Sequence, residues 1–301
     1  MMERTFKTSI KETKGDRIFN VVNTAILIII CILIAYPIYF MCIASISDPN
    51  AVYQGRVVFL PKNITFLGYK RIFSNNIVLK GYVNSIIYSI AGIAISVGIT
   101  IPTAFAISRP ELPGGKIITK LMIFTMYFYG GMIPLYLVVK DLKLVNSMWA
   151  LILPTAIVTY NLIVARSFYI SSLPEELFEA SVLDGCNYTK FFFHVVLPLS
   201  KPIIAVMVLF YATKMWNDFM DALIYLNDEN KFPLQLILRN ILVQSQAMAM
   251  LDDSTAVAEQ QKATDLIKYG VVVVASFPML SLYPFVQKYF VKGVMIGAVK
   301  G

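Results

Sequence analysis

Apolar positions in this chain run in long blocks. The first, Val21 to Ser47, holds 27 residues without a charge and follows the polar KETKGDR at Lys11 to Arg17. The apolar core of a cleaved signal peptide is about 7 to 15 residues long, so this block predicts a retained membrane span. Further uncharged windows cover Gly81–Ser108 (28 residues), Leu121–Val139 (19), Leu144–Ala165 (22) and Tyr269–Gln287 (19). At 1.5 Å per helical residue each one crosses or nearly crosses a ~30 Å hydrocarbon layer. The window PIIAVMVLFYAT, Pro202 to Thr213, has only 12 residues, but LPLS before it and MWNDFMDALIYL after it extend its apolar character.

The expectation is an all-α polytopic membrane protein with six spans, at about 18–46, 82–108, 118–139, 146–168, 199–222 and 268–288, forming one transmembrane domain over residues 1–301. An even count puts both termini on one side. With the termini inside, the inner segments carry 14 basic residues in about 80 positions and the outer ones 12 in about 92; positive charge favours the cytoplasmic side. Pro37, Pro102, Pro134, Pro154, Pro278 and Pro284 fall within or near span ends. Each removes a backbone donor and crowds the preceding turn, so bent helices are expected, either as packing kinks or as shapers of a pathway.

One segment breaks the pattern: EELFEASVLDGCNYTKFFFHVVLPLSKP, Glu175 to Pro202. Ser172 with Glu175 three residues on reads as a capping box, Pro174 sits in the first turn, and Glu175 and Glu176 oppose the positive helix end. Gly185 supplies a stop. A second short helix is expected from about Asn187 to Val196, carrying Tyr188, Phe191, Phe192 and Val195. Leu177, Ala180, Ser181 and Asp184 share one face of the first helix, with Phe178 and Val182 in an adjacent row. A capped helix of this kind suits docking of a soluble partner. An interfacial helix on lipid headgroups is the alternative, but it would carry Lys and Arg where this one carries glutamates.

Composition agrees with a membrane protein: 57% hydrophobic, 15% charged, mean hydropathy +0.68, against about 25% charged in soluble domains. The net charge of +8 is dispersed between apolar runs, which suits topology and not nucleic-acid binding. Cys31, Cys42 and Cys186 are too scattered for a disulfide scaffold, and His194 is the only histidine, so no metal site is expected. No GxxxxGK[ST] motif occurs, so nothing here cradles ATP phosphates in that manner.

The run EASVLDG, with VVLP beginning ten residues after Gly185, resembles the EAA motif of permease subunits of bacterial ABC importers. Glu179 matches the motif glutamate, Ala180 the first alanine, Gly185 the glycine, and Leu197 and Pro198 the closing pair; Ser181 replaces the second alanine and Val195 the isoleucine. YVNSIIYS (Tyr82–Ser89), GGMIPLYLVVKDLKLVNSMWALILP (Gly130–Pro154), MWNDFMDALIYLND (Met215–Asp228), FPLQLILR (Phe232–Arg239) and KYFVKGVMIGAVKG (Lys288–Gly301) are similar to the carbohydrate-uptake branch. FPLQLILR is most like permeases for complex saccharides, including polysaccharide and alginate-type importers.

The resemblance implies a type I ABC importer transmembrane domain whose segment 172–198 is a cytoplasmic coupling element between spans four and five, with Glu179, Ala180, Ser181, Asp184, Gly185, Leu197 and Pro198 at the ATPase groove. It implies a bacterial plasma-membrane location with both termini cytoplasmic. The implied partners are a second permease subunit, expected to be a different chain, two ATPase subunits or a homodimeric ATPase, and an extracellular or lipid-anchored solute-binding protein. No cofactor is expected in this chain; ATP and Mg²⁺ belong to the ATPase partners.

Lys214, Asp218 and Asp221 lie in or at the end of span five, where ionised groups cost about 2.5 to 3.5 kcal/mol at the bilayer centre and must face protein or water. Lys214 and Asp218, four apart, are expected to pair. Trp216, Asn217 and Asp218, with Lys214 beside them, have three readings: saccharide contacts, contacts with a delivering binding protein, or anchors at the membrane interface. Asn84 is expected to hydrogen-bond between helices, and Gly293 with Gly297 to allow close packing. Two other function classes fit less well. A secondary carrier driven by an ion gradient wants ionisable residues at the midplane and an internal repeat. A membrane enzyme wants clustered acid, base or metal groups at one face.

Overall fold

The computed structural model describes residues 13–249, 267–282, 284 and 287. Among them the regular elements are all helical. In chain order they are α1 Lys14–Ser45, α2 Pro49–Tyr53, α3 Leu67–Ser74, α4 Asn76–Ser108, α5 Gly115–Tyr127, α6 Met132–Asp141, α7 Trp149–Ile152, α8 Thr159–Ser172, α9 Glu175–Leu183, α10 Tyr188–Phe191, α11 Leu197–Leu199, α12 Lys201–Asn217, α13 Met220–Tyr225 and α14 Leu234–Ala249. A last helix, α15, spans Ile267–Leu282.

α4 is the central strut. It is 33 residues long, about 50 Å at helical rise, and it packs against α12, α8 and α14. The packed face is small and polar: Ser85, Ser89, Gly92, Ser96, Thr100 and Ala104 are buried at three- and four-residue spacing. Small side chains let helix axes approach closely. At Gly92 an added Cβ would stand 2.9 Å from the Met215 sulfur. The Thr100 hydroxyl bonds the Tyr211 hydroxyl of α12 at 2.7 Å, so the seam carries a directional contact as well as dispersion.

α1 begins with a complete capping box, in which Thr13 Oγ1 accepts from the Asp16 N–H at 3.2 Å and Asp16 Oδ2 accepts from the Thr13 N–H at 3.0 Å. The helix is apolar all round, yet only Ile43, Ala44 and Ser45 are buried. A helix with that distribution is solvated by lipid or by another subunit.

Two helices, α1 and α4, are long and apolar enough to cross a bilayer alone, and three bent pairs reach that length together. The window 118–139, expected as one span, is broken: α5 and α6 meet at 114°. The cause is Gly131, whose φ of 96° and ψ of 165° belong to a region open essentially to glycine. Trp149–Thr155 and α8 meet at 49° after Pro154, and Tyr188–Leu199 meets α12 at 76°. Pro37 and Pro102 sit inside α1 and α4 without ending them. The end of the 268–288 segment, the acidic stretch holding Asp252, Asp253, Glu259 and Asp265, and the tail with Gly293 and Gly297 lie outside the described residues.

Candidate functional site

At one end of α4, α9 and the α10–α11 segment form a hairpin. Ser172 does not cap α9. It closes α8 instead, Pro174 takes the N-cap position of α9 with ψ 149°, and no side chain caps that end. Proline disfavours helical geometry in the residue before it, which leaves Leu173 extended (φ −119°, ψ 91°) and separates the two helices. Gly185 turns the chain with φ of +76°, and nothing lies within 4 Å of the place a Cβ would occupy. Asn187 caps α10 by accepting from the Lys190 N–H at 2.8 Å. The helix then passes through a π turn, Phe192–Val196, before α11. The expected second helix therefore runs three residues further, to Leu199.

The two faces of this hairpin differ. Leu183 is 90% exposed and Val182 50%, and Glu179, Ala180 and Asp184 are exposed beside them. Ser181 points the other way: it is buried, with its hydroxyl donating to the Phe178 carbonyl at 2.7 Å. Phe178 stacks on Tyr188 at 4.6 Å and meets Phe191 edge-on at 5.2 Å. Phe191 is fully buried against Phe105 of α4, which in turn meets Tyr169 of α8 at 5.8 Å. The Tyr169 hydroxyl bonds the Ser200 hydroxyl at 2.9 Å, and Ser200 is the residue at the 76° bend into α12. Leu197 is half-buried against this core and Pro198 is exposed in the first turn of α11. A continuous aromatic train thus joins the exposed helix to three long helices. Close-packed rings transmit displacement because interiors have low compressibility.

Phe105, Tyr169 and Ser200 were not singled out from sequence. Phe105 lies inside an apolar window and Tyr169 and Ser200 just beyond the edges of two others, where the pattern gives no sign of which groups meet. His194 has Nδ1 3.0 Å from the Lys190 carbonyl and is otherwise exposed.

The second group of residues is spread over different surroundings. Trp216 is 5% exposed; its Nε1 donates to the Ala275 carbonyl of α15 at 2.9 Å, and its ring meets Tyr82 edge-on. Asn217 is exposed and donates to the Thr213 carbonyl at 2.9 Å. The expected Lys214–Asp218 pair on one helical face does not form there, because α12 ends at Asn217 and Asp218 is already extended (φ −76°, ψ 107°). The Asp218 carboxylate accepts from the Asp221 N–H at 3.1 Å, at the start of α13. Lys214 is half-buried one turn earlier.

The opposite end of α4 carries a polar latch that the sequence did not announce. Asn146, with φ of 60°, accepts through its side chain from the N–H groups of Asn227 and Asp228 at 3.2 and 3.1 Å. The Asn146 carbonyl accepts from Lys231 Nζ at 2.8 Å. Asn84 donates to the carbonyls of Asn230 and Phe232, Tyr88 donates to that of Lys231, and Ser85 accepts from the Leu234 N–H. Asn84 therefore serves the short 3-10 turn Glu229–Lys231 and the Phe232 that follows it, not one of the long helices.

The fold and hairpin are those of a transport permease. The chain belongs to the family described as binding-protein-dependent transport system inner membrane component, which it matches over residues 77–296. It is 40% identical to Protein LplC of Bacillus subtilis (strain 168), across 96% of this chain and 97% of that one. It is 39% identical to the polygalacturonan/rhamnogalacturonan transport system permease protein YtcP of the same organism, across 95% of this chain and 99% of that one. Among solved structures it is similar to a chain of a bacterial ABC transporter involved in the import of the acidic polysaccharide alginate. That match has a TM-score of 0.83 and 32% identity, and covers 93% of this chain and 99% of that one.

Proposed function

We propose that this chain is the membrane-spanning subunit of an ATP-driven importer, and that it forms the path for an oligosaccharide or complex saccharide delivered by an extracellular binding protein. The observation that carries this reading is the hairpin: Glu179, Ala180, Val182 and Leu183 are exposed on α9 while its other face is locked to α4, α8 and the Ser200 bend. Closure of a separate ATPase around α9 would then displace Phe191 against Phe105 and change the angle at which α12 leaves Ser200. The saccharide class is supported by the substrates named for YtcP and for the alginate importer.

In this reading α1, α4, the α5–α6 pair, Trp149–Thr155 with α8, α12 and α15 are the six spans, with both termini, α9 and the α10–α11 segment on the cytoplasmic side of the plasma membrane. A second permease, expected to be a different chain, covers the exposed length of α1. ATP and Mg²⁺ act in the ATPase subunits. Asn217 and Asp218, at the end of α12, are in this reading the members of their group that contact saccharide or binding protein, and buried Trp216 is a packing pillar.

The test is reconstitution of the complex with its ATPase and binding protein in vesicles. Glu179→Arg reverses a charge on an exposed surface, so the complex is expected to retain its thermal stability while losing ATPase stimulation by loaded binding protein. Saccharide uptake driven by an ion gradient without ATP, or full stimulation in Glu179→Arg, would refute the proposal.

A further inference from the structure

The connection from α2 to α3 folds back along α1 as a tongue, Arg56 to Lys62, with chain reversals at Gly55 (φ 69°) and Asn63 (φ 49°). At its root the Lys62 N–H donates to Ser47 Oγ at 3.2 Å and the Asp48 N–H donates to the Lys62 carbonyl at 3.0 Å. Val57 is buried against Ile43 and Ala51. At the tip the Tyr36 hydroxyl donates to the Val58 carbonyl at 3.1 Å and the Tyr39 hydroxyl to the Phe59 carbonyl, and the Tyr36 and Phe59 rings meet edge-on at 6.1 Å. Because α1 ends at Ser45, the tip lies about 10 Å further down the helix, toward the bilayer centre, than the root.

The tongue is charged at the root and apolar at the tip. Arg56 and Lys62 are exposed on its two limbs, and Phe59 and Leu60 remain 71% and 69% exposed between them. A phospholipid leaflet has the same order along its normal, anionic phosphate outside and acyl chain inside. A protein surface laid over the tongue would need acidic groups opposite both limbs. The tyrosines point the same way. A loop carbonyl carried below the headgroups loses its water and costs free energy unless it is paired. The Tyr36 and Tyr39 hydroxyls supply that pairing at the tip; in open water, solvent would satisfy both carbonyls without them.

We propose that the Arg56–Lys62 tongue is a membrane anchor: Phe59 and Leu60 enter the acyl-chain boundary of one leaflet, Arg56 and Lys62 hold phospholipid phosphates, and Tyr36 and Tyr39 hold the loop backbone at that depth. The inference rests on the membrane placement proposed above for α1, and the leaflet is the outer one in that orientation. The tongue covers the face of α1 that carries Tyr36 and Tyr39 and leaves its other faces to the second permease. Its consequence is a fixed depth for this end of α1.

The test uses the assembled transporter in nanodiscs of phosphatidylglycerol and phosphatidylcholine, with Cys31, Cys42 and Cys186 replaced by serine and a nitroxide label on Leu60→Cys. Power-saturation spectroscopy compares the label's collisions with oxygen, which concentrates in lipid, and with a water-soluble nickel chelate. A several-fold excess of oxygen collisions is expected. Tyr36→Phe combined with Tyr39→Phe removes both donors and keeps both rings, and is expected to shift the balance toward the chelate. A chelate excess in the otherwise unaltered tongue would overturn the anchor in favour of a solvated loop, and exclusion of both reagents would overturn it in favour of a covering protein. An oxygen excess that the two tyrosine changes leave untouched would overturn the part given to the hydroxyls. ATPase stimulation by loaded binding protein, scored on the same preparations, reports separately on the proposed function, because the collision balance is read without ATP.

Discussion

The two ends of α4 are built on different physical principles. At the Phe105 end, the hairpin is fastened by rings: Tyr188, Phe178, Phe191, Phe105 and Tyr169 touch in that order, and one hydroxyl pair, Tyr169 with Ser200, closes the train. At the Lys80 end, the connection around residues 226–234 is fastened by directional bonds from Asn84, Ser85, Tyr88 and Asn146 to backbone groups. Apolar contacts are non-directional and tolerate a small tilt. Backbone hydrogen bonds weaken steeply with angle. The ring-fastened end is thus suited to move as a lever, and the bonded end to hold a fixed shape.

The sharpest way to break this contrast is at Phe191. Phe191→Ala removes a fully buried ring and is expected to cost about 3 to 5 kcal/mol, with a lower unfolding midpoint and loss of ATPase coupling together. An unchanged midpoint would show that the train is not the fastening. Asn146→Ala should cost about 1 to 3 kcal/mol by leaving two N–H groups without their acceptor. Thermal unfolding would report that loss while ATPase stimulation persists; loss of stimulation in this variant would show that the two ends are not separable.

Gly185→Val places a β-branched residue at φ +76° in open space, so the cost is backbone strain of about 1 to 2 kcal/mol. Gly185→Asn, which tolerates that region better, should recover most of the coupling. Ser200→Ala removes one partner of the Tyr169 bond and is expected to cost about 0.5 to 1.5 kcal/mol, with coupling weakened more than binding-protein affinity.

The smallest effect is a pH dependence at the latch. Asp228 is held below the usual carboxylate range chiefly by the Asn230 backbone N–H and then by its side chain. A depressed value in the folded state stabilises above the ordinary aspartate pKa of about 3.9 and is lost as pH falls through the folded value. Acid unfolding curves of wild type and Asp228→Asn should therefore converge at the acidic end; parallel curves throughout would remove Asp228 from the latch.

The hairpin was legible in the sequence because its signals are local. Gly185 marks a positive-φ turn, and the acidic and small residues around Glu179 an amphipathic helix. Ser172 misled because the capping box it spells competes with continuation of α8, and the proline at 174 left no room for both. The break at Gly131 was written as a glycine pair inside an uninterrupted apolar window, where hydropathy outweighed turn chemistry. The Lys214–Asp218 spacing assumed a helix that stops one residue too soon.

Sequence alone determined the helical class, the apolar character of the long windows, and the position of the exposed hairpin around Gly185. Those features depend on hydropathy summed over a window and on turn residues, both of which act within a few residues of themselves. The tertiary structure alone decided that Trp216 is a buried pillar, that Phe105 and Tyr169 link the hairpin to the Ser200 bend, and that Asn146 ties down a loop some 80 residues away. Such contacts arise where helices cross, and crossing is set by which small-residue face of α4 meets which partner, a choice no short stretch of chain encodes.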